Sequence, residues 1–509
     1  MQRLPPVLKT CALGAVLALA TTARAGDLVF HLTAHGNVTA GVNRLSGVPR
    51  GHCLQCHPER QTPVLSSPVL FTVNNNTLCF TCHAATGAGQ FYAGQTAYAS
   101  SSHATSANMY WPGPTPVARP ATDAGKCLNC HTPHGARDAQ GLISNLERFR
   151  EEAACLGCHD ATGPASTNIS AELAKRAAHP VATVTGVHLV GESAATAFGT
   201  GKRHAECVDC HNPHAGTAAG PLTGTSRVRV TNGVAGAAPS FTLVPATDTT
   251  AVKEYELCFK CHSSWTTAPA GQTDLARVLN PANESMHPVE GVGKNTSAQM
   301  AGSLDGGTGL PHLSPTTVLT CADCHSNDDL PRTVSLVAGY TGAVPRGPHG
   351  SSASGGNAAF SNAMLRAPYR KDLKPKAEAY TVNDFTLCLV CHASGPFGTT
   401  GTTARTDTAF RFHGFHLRSI SGKGSGGQDI SVAGAGQGNA ICRECHYNTH
   451  GTRGAPWSGN ATYTRGVNFS PNIVGAGGTG QPTWAPGGTV GTGSCRLSCH
   501  GMNHAPETY

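Results

Sequence analysis

Ten times in this 509-residue chain two cysteines stand just ahead of a histidine. Nine copies read C-x-x-C-H: Cys53 and Cys56 with His57, Cys79 and Cys82 with His83, Cys127 and Cys130 with His131, Cys155 and Cys158 with His159, Cys207 and Cys210 with His211, Cys258 and Cys261 with His262, Cys321 and Cys324 with His325, Cys388 and Cys391 with His392, and Cys442 and Cys445 with His446. The tenth, Cys495-Arg-Leu-Ser-Cys499-His500, holds one more residue between its cysteines. Paired thiols with an adjacent imidazole are the attachment signature of c-type haem. The thiols form thioethers with the two vinyl groups, and the histidine ligates the iron from one face. Other uses of paired cysteines ask for less. A thioredoxin-like dithiol needs no histidine after it, and a zinc ribbon pairs one C-x-x-C with another. The full pattern therefore points to ten covalent haems, the tenth requiring a bulge to reach the same vinyls.

The second axial position decides what such irons can do. A filled position suits electron transfer, and an open one suits substrate. Ten of the 26 histidines are proximal, which leaves sixteen, enough for ten bis-histidine sites. Several stand out by position. His134, His214, His450 and His504 trail a motif at a fixed offset, as in His131-Thr-Pro-His134 and His211-Asn-Pro-His214. His349 lies in a Pro-His-Gly segment of the same kind, displaced downstream of His325. His179-Pro-Val precedes His204 by 25 residues, and His287-Pro-Val precedes His312 by the same spacing. Near the N-terminus His35 and His52 are favoured over His31. The methionines beyond the first residue (Met109, Met286, Met300, Met364 and Met502) do not recur with the motifs and read as packing or loop residues. The expectation is six-coordinate, low-spin, low-potential haem throughout.

The elements that must hold these residues are short. The motifs come in couples, the first and second 26 residues apart and the third and fourth 28 apart, with looser later couples. Second members carry an apolar frame, as in Thr77-Leu78-Cys79-Phe80 and Glu256-Leu257-Cys258-Phe259, which reads as a helical turn delivering the histidine. The repeat implies duplication of a two-haem unit. Stretches 84–108, 215–240, 340–360, 395–410, 420–440 and 451–494 are rich in small and polar residues and read as long loops. With 61 Gly, 33 Pro and only 6% aromatics, the chain cannot build a conventional aliphatic core of this size. The fold class expected is mostly irregular coil with short α-helices, wrapped around a haem chain, with few or no strands. Porphyrin faces would supply the missing apolar surface.

Residues 1–25 read as a secretory leader: Arg3 and Lys9, an apolar run from Cys11 to Ala20, and a small-x-small end at Ala23-Arg24-Ala25. The run is too short to span a bilayer, and no later segment is apolar enough to do so. The remaining cysteines all lie in motifs, so none is left for a disulfide. The formal charge of +7 falls to +4 without the leader. Ten ferric haems with ionised propionates, each about −1, would bring the total to about −6, which removes the footing for a nucleic-acid partner.

Residues 127–159, with C-x-x-C-H-T-P-H-G and then a second C-x-x-C-H after a helical lead-in, resemble the doubled motif of multihaem c-type cytochromes, of the kind found in metal-respiring bacteria. The likeness extends through four couples and more weakly through the fifth. It implies heme c and iron as cofactors. It also implies electron transport across the periplasm or to extracellular acceptors, and no enzymatic step. Implied partners are other redox proteins: periplasmic or inner-membrane cytochromes, an outer-membrane porin-cytochrome complex, or further copies of this chain in a filament. The expected layout is haems 1–2 in residues 26–120, haems 3–6 in 121–290, haems 7–8 in 291–400 and haems 9–10 in 401–509. The alternative is a multihaem reductase of a small oxyanion, of the nitrite or hydroxylamine type, with one open haem. Relatives that reduce nitrite often end one motif in lysine, whereas all ten here end in histidine. His57 and His500 are the places where a distal partner is least evident.

Overall fold

The computed structural model describes residues 29–57, 69–83, 95–110, 125–139, 141–181, 205–266, 273–304, 313–330, 344–374, 381–398, 407–418, 439–452, 464–478 and 480–509. The described residues are mostly coil, with 25% helix and 15% strand. Spatial proximity divides it into two units, residues 1–78 with 130–150, and residues 79–129 with 151–509. Among the described residues no helix is long and apolar enough to cross a membrane.

Nine of the attachment motifs lie on short helical segments. Cys53–Gln55, Cys127–Asn129, Cys321–Asp323 and Cys388–Val390 are 3₁₀ turns. Cys207–Cys210 and Cys442–Cys445 are single α-helical turns. The second, fourth and sixth motifs end or lie within the helices Asn76–His83, Glu151–Leu156 and Glu254–His262. The reason is the spacing: residues three and four apart share one helix face. The histidine N–H donates to the first cysteine's carbonyl in six motifs, at 2.9 Å for His57, 3.0 Å for His159, 2.9 Å for His211, 2.8 Å for His325, 2.9 Å for His392 and 2.8 Å for His446.

The residue before the second cysteine locks the odd-numbered turns. Asp209, Asp323 and Glu444 each accept from the backbone N–H of the N-cap residue, at 2.9, 2.7 and 3.0 Å. Gln55 and Asn129 do the equivalent with neighbouring loops. Gln55 accepts from the N–H groups of Arg44 and Leu45, and Asn129 donates to the Met109 carbonyl at 2.8 Å.

Strands are present but short. The expected loop 215–240 holds the strand Arg227–Thr231, which pairs antiparallel with Ser240–Val244. Its Arg-Val-Arg-Val-Thr alternation has the period of a strand. The stretch 84–108 holds the helices Gln95–Ser100 and Ser102–Thr105. The lead-in to the fourth motif becomes helical only at Glu151, because Thr132 and Arg148 tie residues 146–148 to the third motif (Thr132 N–H to Leu146 O, 2.7 Å; Arg148 N–H to Cys130 O, 2.9 Å). At the C-terminus Gly493–Cys499 lies between Thr483–Pro486 and Met502–Thr508 in a three-stranded antiparallel sheet.

Aliphatic packing is dispersed. One cluster gathers Val228, Tyr255, Phe259, Ala276, Val278, Leu279 and Val289 around the hairpin and the helix Glu254–His262. A second, Phe469, Val474, Trp484 and Leu497, lies under the C-terminal sheet. Neither approaches the size of a core for a chain this long, as the composition anticipates.

Candidate haem sites

Five pairs of imidazoles face each other at nearly one spacing. Ring centroids are 6.1 Å apart for His57 and His134, 6.2 Å for His159 and His103, and 6.0 Å for His211 and His349. They are 6.4 Å apart for His262 and His179 and 6.0 Å for His325 and His450. Each pair joins one motif histidine to one other histidine. The interplanar angle varies from 9° to 70° while the separation barely moves. Face-to-face stacking would tie distance to angle, whereas an atom between two ring nitrogens would not. With metal–nitrogen bonds of about 2.0 Å and a centroid roughly 1.1 Å behind its nitrogen, imidazoles on opposite faces of one iron have centroids about 6.2 Å apart. The donor set fits haem iron.

The other ring nitrogen is occupied in several of these histidines, while Nδ1 of His159, His349 and His392 is buried without a hydrogen-bond partner. Nδ1 lies against a backbone carbonyl in His57 (Val69, 2.8 Å), His131 (Asn145, 3.1 Å), His211 (Pro221, 3.1 Å) and His446 (Gly466, 3.0 Å). Such a bond fixes the tautomer and aims Nε2 at the metal. The partner histidines are held alike. His103 Nδ1 lies 3.0 Å from the Pro213 carbonyl, and His179 Nδ1 lies 2.5 Å from that of Pro348. His287 Nδ1 bonds the Thr449 carbonyl. In each case the carbonyl belongs to the residue just before a trailing histidine: His214, His349 or His450.

These contacts are copies of one device. The segment ending at His179 pairs with Gly350–Ser351, and the segment ending at His287 pairs with Gly451–Thr452. The His-Gly sequence is needed for the close approach. A Cβ on Gly350 would sit 1.8 Å from the Glu172 carbonyl oxygen, and one on Gly451 would sit 2.1 Å from that of Val278. Burial keeps the rings neutral, the ligating form. It pushes His349, His392 and His450 down to about 4 and His413 to about 3. Neighbouring imidazoles add to this: His211 for His349, His325 for His450, His287 for His392 and His446 for His413.

Of the positions favoured from sequence, His134, His179, His349 and His450 face a motif histidine. The trailing histidines do not face their own motif. His134, after the third motif, faces the first. His450, after the ninth, faces the seventh. His57 thus has a partner where the sequence offered none nearby. His287 is the first imidazole acting on His392. His214 packs against Tyr98. His35 is half-buried, and the His52 ring accepts from the Leu54 N–H at 3.2 Å and so caps its own turn. His204 and His312 lie outside the described residues. His103 was not singled out by sequence, nor were His413 and His416 on the helix His413–Arg418. A sequence signal for them exists: one or two histidines stand 24 to 34 residues ahead of Cys127, Cys207, Cys321 and Cys442.

The tenth site is built differently. Cys495 and Cys499 lie on the strand Gly493–Cys499, where residues four apart share a face. The register shift between Cys495 and Leu497 sets two steps of this strand against three of Met502–Thr508, so the extra residue lies on the partner strand and the motif itself stays regular rather than bulging as expected. His500 adopts positive φ (49°) and is buried, and its Nε2 lies 2.6 Å from Glu444 Oε2. His504 bonds Glu507 at 2.6 Å, and its charge and that of His500 both act on His416.

The twenty motif cysteines are all free thiols in the described chain, as haem attachment requires. Cys56 and Cys82, expected from sequence as the second thioether sulfurs of the first two sites, are both half-buried. The Cys56 N–H donates to the Cys53 carbonyl, and the Cys56 carbonyl accepts from the Phe71 N–H, each at 3.1 Å. Cys82 stands one residue before the end of the helix Asn76–His83, three residues from Cys79 and so on the same face. What fixes both positions is backbone geometry. The attachment role of Cys56 and Cys82 therefore rests on motif spacing, whereas the sulfur-to-sulfur contacts that link later motifs are made by other cysteines.

Residues 119–164 match the family model described as Doubled CXXCH motif. No curated protein and no solved structure matches. The match and the motifs indicate covalently bound heme c and support a multihaem c-type cytochrome, a class that works in electron transfer.

Proposed function

We propose that this chain is an exported decahaem electron carrier whose irons are held by paired histidines. The observation that carries this reading is the set of five imidazole pairs at 6.0–6.4 Å, each with a motif histidine on one side. Bound haem would supply reversible one-electron chemistry there. The chain's own residues fill both axial positions, fix ring orientation through backbone carbonyls, and bury the sites. Attachment at the first two sites would use Cys53 with Cys56 and Cys79 with Cys82. His287 would complete the eighth site opposite His392. We further propose the sequence-based layout of the haems in residues 26–120, 121–290, 291–400 and 401–509. The partners proposed are other redox proteins on either side of the periplasm, or further copies of the chain. The test is the intact mass and haem content of the exported protein together with its absorption spectrum. Ten haems and a low-spin ferric spectrum are expected. Far fewer haems, or a dominant high-spin band, overturns the proposal.

One observation favours a second reading at a single site. His500 Nε2, the nitrogen a motif histidine would offer to iron, is engaged by the buried Glu444 carboxylate, so a tenth iron would lack that ligand and could hold an exchangeable one in its place. A steady-state assay with nitrite and hydroxylamine, using reduced viologen as donor, checks it. Turnover would make the protein a reductase, and its absence leaves the carrier.

A further inference from the structure

We infer that the fourth to tenth attachment sites follow one another in space in the order of the sequence, through two alternating kinds of junction. This rests on the reading that each motif carries a haem. The thiols in the structure stand for the thioether sulfurs of the loaded protein, so a contact between sulfurs of two motifs is a contact between two porphyrin edges.

At the first kind of junction an even-numbered motif meets the next odd one, first cysteine to first cysteine. Cys155 hydrogen-bonds Cys207, Cys258 hydrogen-bonds Cys321, and Cys388 hydrogen-bonds Cys442. Cys79 and Cys127 make the same contact earlier in the chain. Packing around them agrees. The helix Glu254–His262 lies against the turn Cys321–Asp323, where Glu254 Oε1 accepts from the Ala322 N–H at 2.7 Å. The Glu254 carboxylate and the Cys258 and Cys321 sulfurs lie within 4.8 Å of one another. Cys442 packs beside Leu389 in the cluster of Phe385, Leu417 and Ile441.

At the second kind an odd motif meets the even one that follows, through its second cysteine. Cys210 lies within electrostatic reach of Cys258 and Cys261, Cys324 of Cys391 and Cys388, and Cys445 of Cys499 and Cys495. Other contacts span the same steps. Lys260 Nζ donates to the Asp209 carbonyl and Glu444 holds His500, while the backbone N–H of Arg366 donates to the Cys324 carbonyl at 2.9 Å and the adjacent Ala367 packs with Val390 and Cys391. The distal histidines follow suit: His179, facing the sixth motif, is bonded to the residue beside His349, which faces the fifth. Every step from the fourth site to the tenth thus joins two motifs, by a thiol–thiol hydrogen bond at the first kind of junction and by thiols within electrostatic reach at the second. Tunnelling falls steeply with distance, so an electron entering at the fourth site would visit the others in order.

A density map of the loaded protein that resolves its irons tests this. The expected result is that each iron from the fourth to the tenth site has only sequence neighbours as its nearest irons. A nearest neighbour two or more motifs away overturns it. In solution, removing the sixth attachment (Cys258→Ala with Cys261→Ala) is expected to slow electron transfer by orders of magnitude between a photoreductant tethered near the fourth site and the tenth. An unchanged rate overturns the order, and if that variant fails to fold the iron map decides. A full complement of low-spin haems in a different spatial order would sink this inference alone. A missing complement would sink the electron-carrier reading itself.

Discussion

Replacing His349 with alanine should open one iron and no other. The imidazole faces His211 at 6.0 Å with planes 10° apart, and it is half-buried. The backbone on either side is fixed: His179 N–H donates to the His349 carbonyl, and Gly350 and Ser351 pair with Ala178 and Ala177. The His179 contact survives, because it uses the Pro348 carbonyl and not the lost side chain. The sixth site should therefore stay low-spin while the fifth becomes five-coordinate. With ten haems, about one tenth of the total absorbance should move to the high-spin form. Added imidazole should reverse the change by filling the vacated space. Gly350→Ala should give the same spectrum without touching the ligand, since its Cβ would collide with the Glu172 carbonyl at 1.8 Å and push His349 away. His349→Met should instead keep six-coordination and raise the potential of one tenth of the titration. A fully low-spin His349→Ala protein would refute the pairing of His349 with the fifth site.

Other consequences can be checked separately. The imidazole planes are 28°, 10° and 9° apart at the first, fifth and seventh sites but 70° and 53° apart at the fourth and sixth. Parallel ligands donate into one iron d-orbital and crossed ligands into two. Electron paramagnetic resonance of the oxidised protein should therefore show two low-spin families, rhombic and strongly anisotropic, and a single family would contradict the geometry. Arg227 is wholly buried between Glu256 and Asp248, each 2.8 Å away. Arg227→Met should cost about 3–5 kcal/mol by stranding the Glu256 carboxylate, seen as lost amide-exchange protection of Arg227–Thr231. Adding Glu256→Gln should recover much of that loss. Burial pushes Glu290 up to about 7, with the Asn232 amide opposing it. The folded state thus holds that proton more tightly than the unfolded chain. Its contribution to stability is present in full below about 4.5 and is lost as pH rises through about 7. The melting temperature should fall across that window, and Glu290→Gln should flatten the fall.

The attachment sites were legible in the sequence because their chemistry is local. A cysteine, a second cysteine three residues on and the next residue share one turn, so spacing alone places them. The turn locks were equally local, although Asp209, Asp323 and Glu444 gain meaning only once their backbone partners are seen. The distal ligands were half legible. Position marked His134, His349 and His450 as special, but not which iron each would serve. The partner of His211 lies 138 residues downstream, and nothing between them encodes that distance. The hairpin Arg227–Thr231 was hidden for another reason: the surrounding Gly- and Ala-rich composition masks five residues of clean alternation.

The pairings also show how one couple is completed by another. Three times the histidine trailing an odd motif faces the odd motif of the preceding couple: His134 with His57, His349 with His211 and His450 with His325. Each couple is then completed by the next, much as stacked repeats complete one another's surfaces. The tenth motif sits instead in the sheet of Thr483–Pro486, Gly493–Cys499 and Met502–Thr508, where Trp484 Nε1 donates to the Tyr509 hydroxyl at 2.6 Å. Placing the tenth motif on a strand of that sheet forces its cysteines to an even spacing, because only residues an even number apart share a strand face. On this view the C-x-x-x-C-H motif is what a C-x-x-C-H site becomes when a strand, and not a helical turn, must carry it.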